Sequence, residues 1–124
     1  MAGTALILFA HGSRDPEWAA PFRAVEKSLA EKRPDLPVRL AFLEIMEPTL
    51  PAAAAALAAS GHHHIVIAPL FMGQGAHLKR DLAVLIDAVR RDHAGVKVEL
   101  LPAAGEAAPV VNALSDWLVA SVGS

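Results

Sequence analysis

Ala5-Leu6-Ile7-Leu8-Phe9-Ala10-His11-Gly12-Ser13-Arg14-Asp15-Pro16 is the stretch on which the fold turns. Its first half is unbroken apolar sequence and its second half is a cluster of turn-forming residues. That is the pattern of a buried strand running into a loop. The strand covers residues 4–10 and delivers His11 at its carboxyl end. The arrangement recurs downstream. Ile65-Val66-Ile67-Ala68-Pro69-Leu70-Phe71 runs into Met72-Gly73-Gln74-Gly75-Ala76-His77, and Val38-Arg39-Leu40-Ala41-Phe42-Leu43 ends at Glu44. Two histidines and a carboxylate therefore close three predicted strands.

Helical spacing fills the intervals. Trp18, Phe22, Val25 and Leu29 share one face, with Arg23, Glu26, Lys27 and Glu31 around the other, so the first helix is amphipathic. Pro34 and Pro37 close that connection. Thr49 is placed to cap a helix over 50–60, with Pro51 in its first turn and Gly61 past its end. That helix is largely alanine, which suits either close packing on its own sheet or a smooth face against a partner. The third strand, over 64–70, is rich in β-branched residues and reads as buried on both faces. Leu78, Leu82, Leu85, Ile86 and Val89 stripe a third helix, with Lys79, Arg80, Asp87 and Arg90 opposite. A fourth strand is expected over 96–101, and a last helix over 109–122 carries Val111, Leu114 and Leu118 at helical spacing. Alternating strands and helices predict an α/β class fold: a single doubly wound domain over residues 1–124, its four-stranded parallel sheet flanked by helices on both faces. Ligands of such folds bind at the carboxyl ends of the strands, where His11, Glu44 and His77 are expected.

Composition narrows the function classes. At 124 residues with 54% hydrophobic content, the chain can bury one real core. It has no cysteine, so disulfides, thiolate zinc sites and iron–sulfur clusters are excluded. A net charge of −2 with no basic cluster argues against nucleic acid, and 5% aromatic content leaves few platforms for stacking bases. The first apolar run is too short to span a membrane and follows no basic segment. The expectation is a cytoplasmic protein with neither a nucleic-acid nor a membrane partner.

A neutral imidazole suits zinc, cobalt, nickel and iron, and a carboxylate adds charge while leaving coordination positions open. His11, His77 and Glu44 together would hold a divalent ion without closing it into a structural site. Taken singly, each histidine is better read as hydrogen-bonded to backbone; their shared place at strand ends is what favours a site. His62-His63-His64 is louder in the sequence but weaker as chemistry. It precedes the third strand, at the opposite edge of the sheet, and adjacent strand residues face opposite ways. A solvated loop is the better reading of it. Gly73-Gln74-Gly75 before a helix would suit a phosphate, but the Lys-Ser/Thr of a P-loop is missing. No nucleophile elbow surrounds Ser13, and Ala10 stands where a histidine phosphatase would carry arginine. Trp18, Phe22 and Trp117 read as core residues. Arg14, Lys79 and Arg80 read as surface charges unless the substrate is polyanionic.

Three ordered blocks carry a more specific signal. Phe9-Ala10-His11-Gly12-Ser13-Arg14-Asp15-Pro16, Phe42-Leu43-Glu44 with Pro48, and Ile67-Ala68-Pro69-Leu70-Phe71 leading to Gly75-Ala76-His77 resemble the short-form sirohydrochlorin chelatases (CbiX-like). The likeness runs from about residue 5 to residue 82. Beyond the fourth strand it weakens, because Leu101-Pro102-Ala103-Ala104-Gly105 replaces the Leu-Gly-containing stretch of that family. The resemblance implies a lyase-class chelatase that inserts a divalent metal into sirohydrochlorin without ATP, on the way to cobalamin or another metallated tetrapyrrole. The metal would be cobalt first, with nickel or iron as alternatives, and would be a substrate, with no permanently bound cofactor. It further implies His11 and His77 as metal-binding and proton-accepting histidines, and Glu44 as a further ligand or relay. Arg14, Lys79 and Arg80 would then anchor substrate carboxylates, and Phe71 and Met72 could lie against the ring. Longer relatives contain two such halves, so the resemblance also implies a homodimer. The competing readings are a non-catalytic metal or tetrapyrrole carrier using the same residues, and a phosphate-handling α/β enzyme using the Gly73–Gly75 turn.

Overall fold

The fold was analysed in a computed structural model that describes residues 3–123. Four parallel strands, β1 (Thr4–Ala10), β2 (Val38–Phe42), β3 (His64–Pro69) and β4 (Lys97–Leu100), lie in the order β2-β1-β3-β4. Helices α1 (Ala20–Lys32), α2 (Leu50–Ala59) and α3 (Ala76–Asp92) connect them in turn, and α4 (Ala108–Val122) follows β4. Short 3₁₀ turns at Pro16–Ala19 and Ala104–Glu106 precede α1 and α4. The order reverses at β1, which lies beside both β2 and β3. The β1–α1–β2 connection moves one way along the sheet and the β2–α2–β3 connection the other way, so their helices lie on opposite faces if both are right-handed.

The faces divide accordingly. Ala5, Ile7, Phe9, Ile65 and Ile67 point to one side, where Leu50, Ala54 and Leu57 of α2 and Leu82, Ile86 and Val89 of α3 bury them. Leu8, Ala10, Leu40 and Phe42 point to the other, against Ala19, Trp18, Phe22 and Leu29. The alanines of α2 have a clear use: Ala53 and Ala54 are buried, which lets the helix lie close to the sheet. Thr49 Oγ1 accepts the Ala52 N–H at 3.3 Å, the cap expected from the sequence.

One expectation needs correction. β3 is not buried on both faces. Ile65, Ile67 and Pro69 are buried, but His64, Val66 and Ala68 between them are only half-buried. The reason lies in the helices, because α1 packs on β1 and β2 and stops short of β3. Helices flank both faces as expected, α1 on one and α2 with α3 on the other, and α4 adds to neither. None of the residues of α4 is buried, and none joins either core. Among the described residues, no helix is long and apolar enough to cross a membrane.

Candidate functional site

The β1–β2 ladder runs on past both strands. The Leu43 N–H donates to the Ala10 carbonyl at 2.9 Å, and the Glu44 N–H to the His11 carbonyl at 3.1 Å. Register alone therefore brings His11 and Glu44 side by side at the carboxyl edge. Two backbone features sharpen the approach. Gly12 has φ +103°, and a Cβ there would overlap the Glu44 carbonyl oxygen, so the position tolerates only glycine without a shift. Beyond Glu44 the Met46 N–H donates to the Glu44 carbonyl at 2.7 Å around Ile45, whose φ is +71°. This is the geometry of a positive-φ γ-turn, which costs a β-branched residue strain.

The result is a hydrogen bond of 3.0 Å between His11 Nε2 and Glu44 Oε1, with the side chains 51% and 56% exposed. With the carboxylate ionised, Nε2–H is the donor, so Nδ1 of a neutral His11 keeps its lone pair. That lone pair is free for a proton or a metal ion. Phe71 braces the site from beneath. Its ring is buried, meets Phe9 edge to face at 5.8 Å and lies 6.5 Å from the His11 ring. Of the two residues expected to offer apolar surface, Phe71 belongs to the core, while Met72 is 65% exposed at the rim.

His77 stands at the same edge of the sheet, in the first turn of α3, and is exposed. The structure does not gather it with His11 and Glu44: among the described residues, no three His, Asp or Glu side chains stand close enough together to hold a metal ion. Arg14 and Arg80 are exposed and engage no side chain among the described residues, whereas Lys79 Nζ lies 4.0 Å from Glu106 Oε2. Ser13 is structural, since its Oγ accepts the Asp15 N–H at 3.1 Å. Asp15 in turn accepts the Glu17 N–H at 3.0 Å and caps the following turn.

The C-terminal third, where the likeness in sequence is weakest, is tied to this edge. Gly105 donates its N–H to the Phe71 carbonyl at 2.9 Å, and a Cβ at Gly105 would overlap the Met72 carbonyl. Glu106 Oε1 accepts from Gln74 Nε2 and from the Ala103 N–H, both at 3.2 Å. Glu106 thus ties the Gly73–Gly75 loop to the chain after β4. Sequence reading missed Glu106, Gln74 and Ile45. The spacing of Glu106 three residues after Ala103 was the one available hint, because a carboxylate there can reach back to the backbone.

The histidine run lies where the sequence put it. His64 opens β3 at the amino edge, with Nε2 3.1 Å from Glu99 Oε1 and Nδ1 3.4 Å from Thr4 Oγ1. His63 lies against Gly3 at the same edge.

Comparison with known proteins adds the family. The sequence profile of the CbiX family matches residues 5–120. The sirohydrochlorin cobaltochelatase of Methanocaldococcus jannaschii is 29% identical over 89 residues, covering 72% of this chain and 62% of that protein. The chain thus spans less than two thirds of that relative's length. A CbiX protein from Marinobacter aquaeolei, described as a cobalamin biosynthesis protein, superposes with a TM-score of 0.78 at 28% identity, and the match covers 93% of both chains. SirB from Bacillus subtilis, solved with Fe3+, gives 0.74 at 27% identity, covering 91% of this chain and 45% of SirB.

Proposed function

The chain belongs to the CbiX family, and from that premise we propose that it is an ATP-independent chelatase that inserts a divalent metal ion into sirohydrochlorin. Cobalt is the first choice of metal and nickel or iron the alternatives, in a cytoplasmic route towards cobalamin or a related metallated tetrapyrrole. Residues 1–124 act as one chelatase-like domain. The metal is a passing substrate, and no permanently bound cofactor is required.

The observation that best supports this reading is the His11–Glu44 pair at the carboxyl edge of the sheet. Metal insertion must strip two protons from the ring nitrogens while the ion enters from one side. His11 Nδ1 suits both tasks: its lone pair can guide the ion and can accept a proton. Glu44 holds the opposite nitrogen and stabilises the imidazolium formed once His11 is protonated. His77, across the same edge, supplies a second base or ligand. A grip of so few donors is chemically apt, because the ring must take the ion away from the protein. A closed site of four protein donors would keep it. Arg14, Lys79 and Arg80 would anchor the carboxylates around the ring with charge-assisted hydrogen bonds. Exposed Ile45 and Met72 offer apolar contact to its face. Holding ion and ring in register is itself a large part of such catalysis.

The test is an absorbance assay of sirohydrochlorin with Co²⁺, Ni²⁺ or Fe²⁺, each with and without protein. Catalysed metallation that disappears in His11→Ala supports the assignment. Tight binding of metal or tetrapyrrole without turnover would make the protein a carrier instead, and metallation no faster than the uncatalysed rate would refute the chelatase reading.

A further inference from the structure

Glu106 reaches the carboxyl edge from the 3₁₀ turn Ala104–Glu106, beyond the last strand. Gly105 pins that turn through its N–H to the Phe71 carbonyl at 2.9 Å. The two oxygens of Glu106 then have different partners. Oε1 accepts from Gln74 Nε2 and from the Ala103 N–H, both at 3.2 Å. Oε2 has Lys79 Nζ at 4.0 Å. The first link is firm, because Ala103 is fully buried in the core. The second is loose: the Lys79 side chain is 59% exposed on a flexible stem, and exposed pairs of this kind contribute little to stability. Glu106 is therefore the fixed member of the pair and Lys79 the movable one. The start of α3 explains why a carboxylate stands there. Its first turn has no acidic residue, while His77, Lys79 and Arg80 lie in or just beyond it, at the end where the helix dipole is already positive. Glu106 supplies negative charge from another segment. Of the three cations placed to anchor ring carboxylates, Arg14 and Arg80 engage no side chain among the described residues, and Lys79 is already occupied.

We propose that Glu106 is the internal counter-ion of the ring site: Lys79 rests on it in the empty protein and exchanges it for a ring carboxylate when the tetrapyrrole arrives. The identity of that anion rests on the chelatase reading. The exchange governs affinity and leaves the chemistry at His11 alone. Cations without partners would hold a polycarboxylate ring tightly both before and after metallation, because its carboxylates are the same in substrate and product. Glu106, held through Oε1, stays behind as a like charge beside the docked carboxylate. It also offers Lys79 a place to return to. Both effects favour departure of the metallated ring, a step that sets the turnover of many enzymes. The plainer role of Glu106, capping the turn before α4, uses Oε1 alone and needs no charge. Glutamine can fill that role, which is what separates the two.

The experiment measures binding of metal-free sirohydrochlorin to the full chain, with EDTA present and oxygen excluded, from the ring's absorbance and fluorescence. Glu106→Gln keeps an acceptor oxygen for Gln74 and Ala103 and removes the charge. It should bind the ring ~3–10-fold more tightly than the parent, since one like charge and one competing ion pair are lost. Its urea midpoint should match the parent's, and the gain should shrink at high salt. Lys79→Gln should weaken binding, and adding Glu106→Gln to it should recover less than about twofold, because the two residues act through one contact. In the unaltered protein, where folding of a variant is not at issue, a carbodiimide should join Lys79 to Glu106 through an amide bond, and ring bound beforehand should suppress that product. Unchanged or weaker binding by Glu106→Gln would overturn the proposal, as would cross-linking that the ring does not suppress. An equal gain with and without Lys79 would also overturn it, because Glu106 would then act as a general repulsive charge. A parent that binds and metallates the ring without this coupling refutes the counter-ion role alone. A parent that binds no ring refutes it together with the ring site of the chelatase reading.

Discussion

Replacing Gly12 with alanine should damage the protein more than its small size suggests. The φ of +103° lies in the region that L side chains avoid, at a cost of ~1–2 kcal/mol. The added Cβ would also overlap the Glu44 carbonyl oxygen, which belongs to backbone and cannot swing aside as a flexible side chain can. Relief requires the Glu44 segment to retreat from the end of β1, at the expense of the hydrogen bonds Glu44 N–H to His11 and Leu43 N–H to Ala10. Each is worth ~1 kcal/mol net. The sum is about 3–4 kcal/mol, a large share of the ~5–15 kcal/mol that holds a domain of this size. With a urea slope of ~1.5 kcal/mol/M, the midpoint should fall by ~2 M. Gly73→Ala is the control, because its φ is ordinary and a Cβ there meets no atom within 4 Å. It should unfold within ~0.5 kcal/mol of the parent, or slightly later through the stiffer unfolded chain. The same retreat would separate Glu44 from His11, so any metallation activity should fall at least as far as in Glu44→Gln. Coincident urea midpoints for Gly12→Ala and Gly73→Ala would refute the close-approach argument.

Three further outcomes follow from named contacts. His11→Ala and His77→Ala should each abolish catalysed metal insertion while the thermal midpoint stays close to the parent's, because both side chains are exposed; Glu44→Gln should lower the rate less, since water can replace a relay. Replacing His62, His63 and His64 together with asparagine should leave turnover within a few-fold of normal, and a loss as deep as that of His11→Ala would put the site at the wrong edge. The Arg33 guanidinium, hydrogen-bonded to Asp35 at 2.9 and 3.0 Å, holds that carboxyl at about 2 against an ordinary 3.8. Its stabilising effect is therefore complete above the ordinary carboxylate range and is lost as pH falls through about 2. A carboxyl-resolved NMR titration should show that midpoint, Arg33→Ala should return it to the usual range, and salt should shrink the difference because both side chains are exposed.

How much of this could be read from sequence depended on the range of the interaction that fixed each feature. β1 was legible to the residue because a continuous apolar run meets a turn cluster at His11, and both signals are local. His11 and Glu44 could be placed at one edge, since parallel strands of an α/β fold end together, and the ladder beyond β1 and β2 completes that inference. What Gly12 does was hidden, because the atom it makes room for comes from a loop some thirty residues away. Nothing in the sequence marks the turn at Ile45, a β-branched residue where positive φ is least expected. The misreading of β3 and the missing role of α4 share one cause. Periodicity reports that Val66 and Ala68, or Leu114 and Leu118, want an apolar neighbour, but it does not say on which molecule the neighbour resides. A strand that looks buried on both faces and a helix with a clean apolar stripe are each correct as statements of demand. Among the described residues those demands go unmet together: Val66 and Ala68 stay half-buried and Leu118 stays exposed.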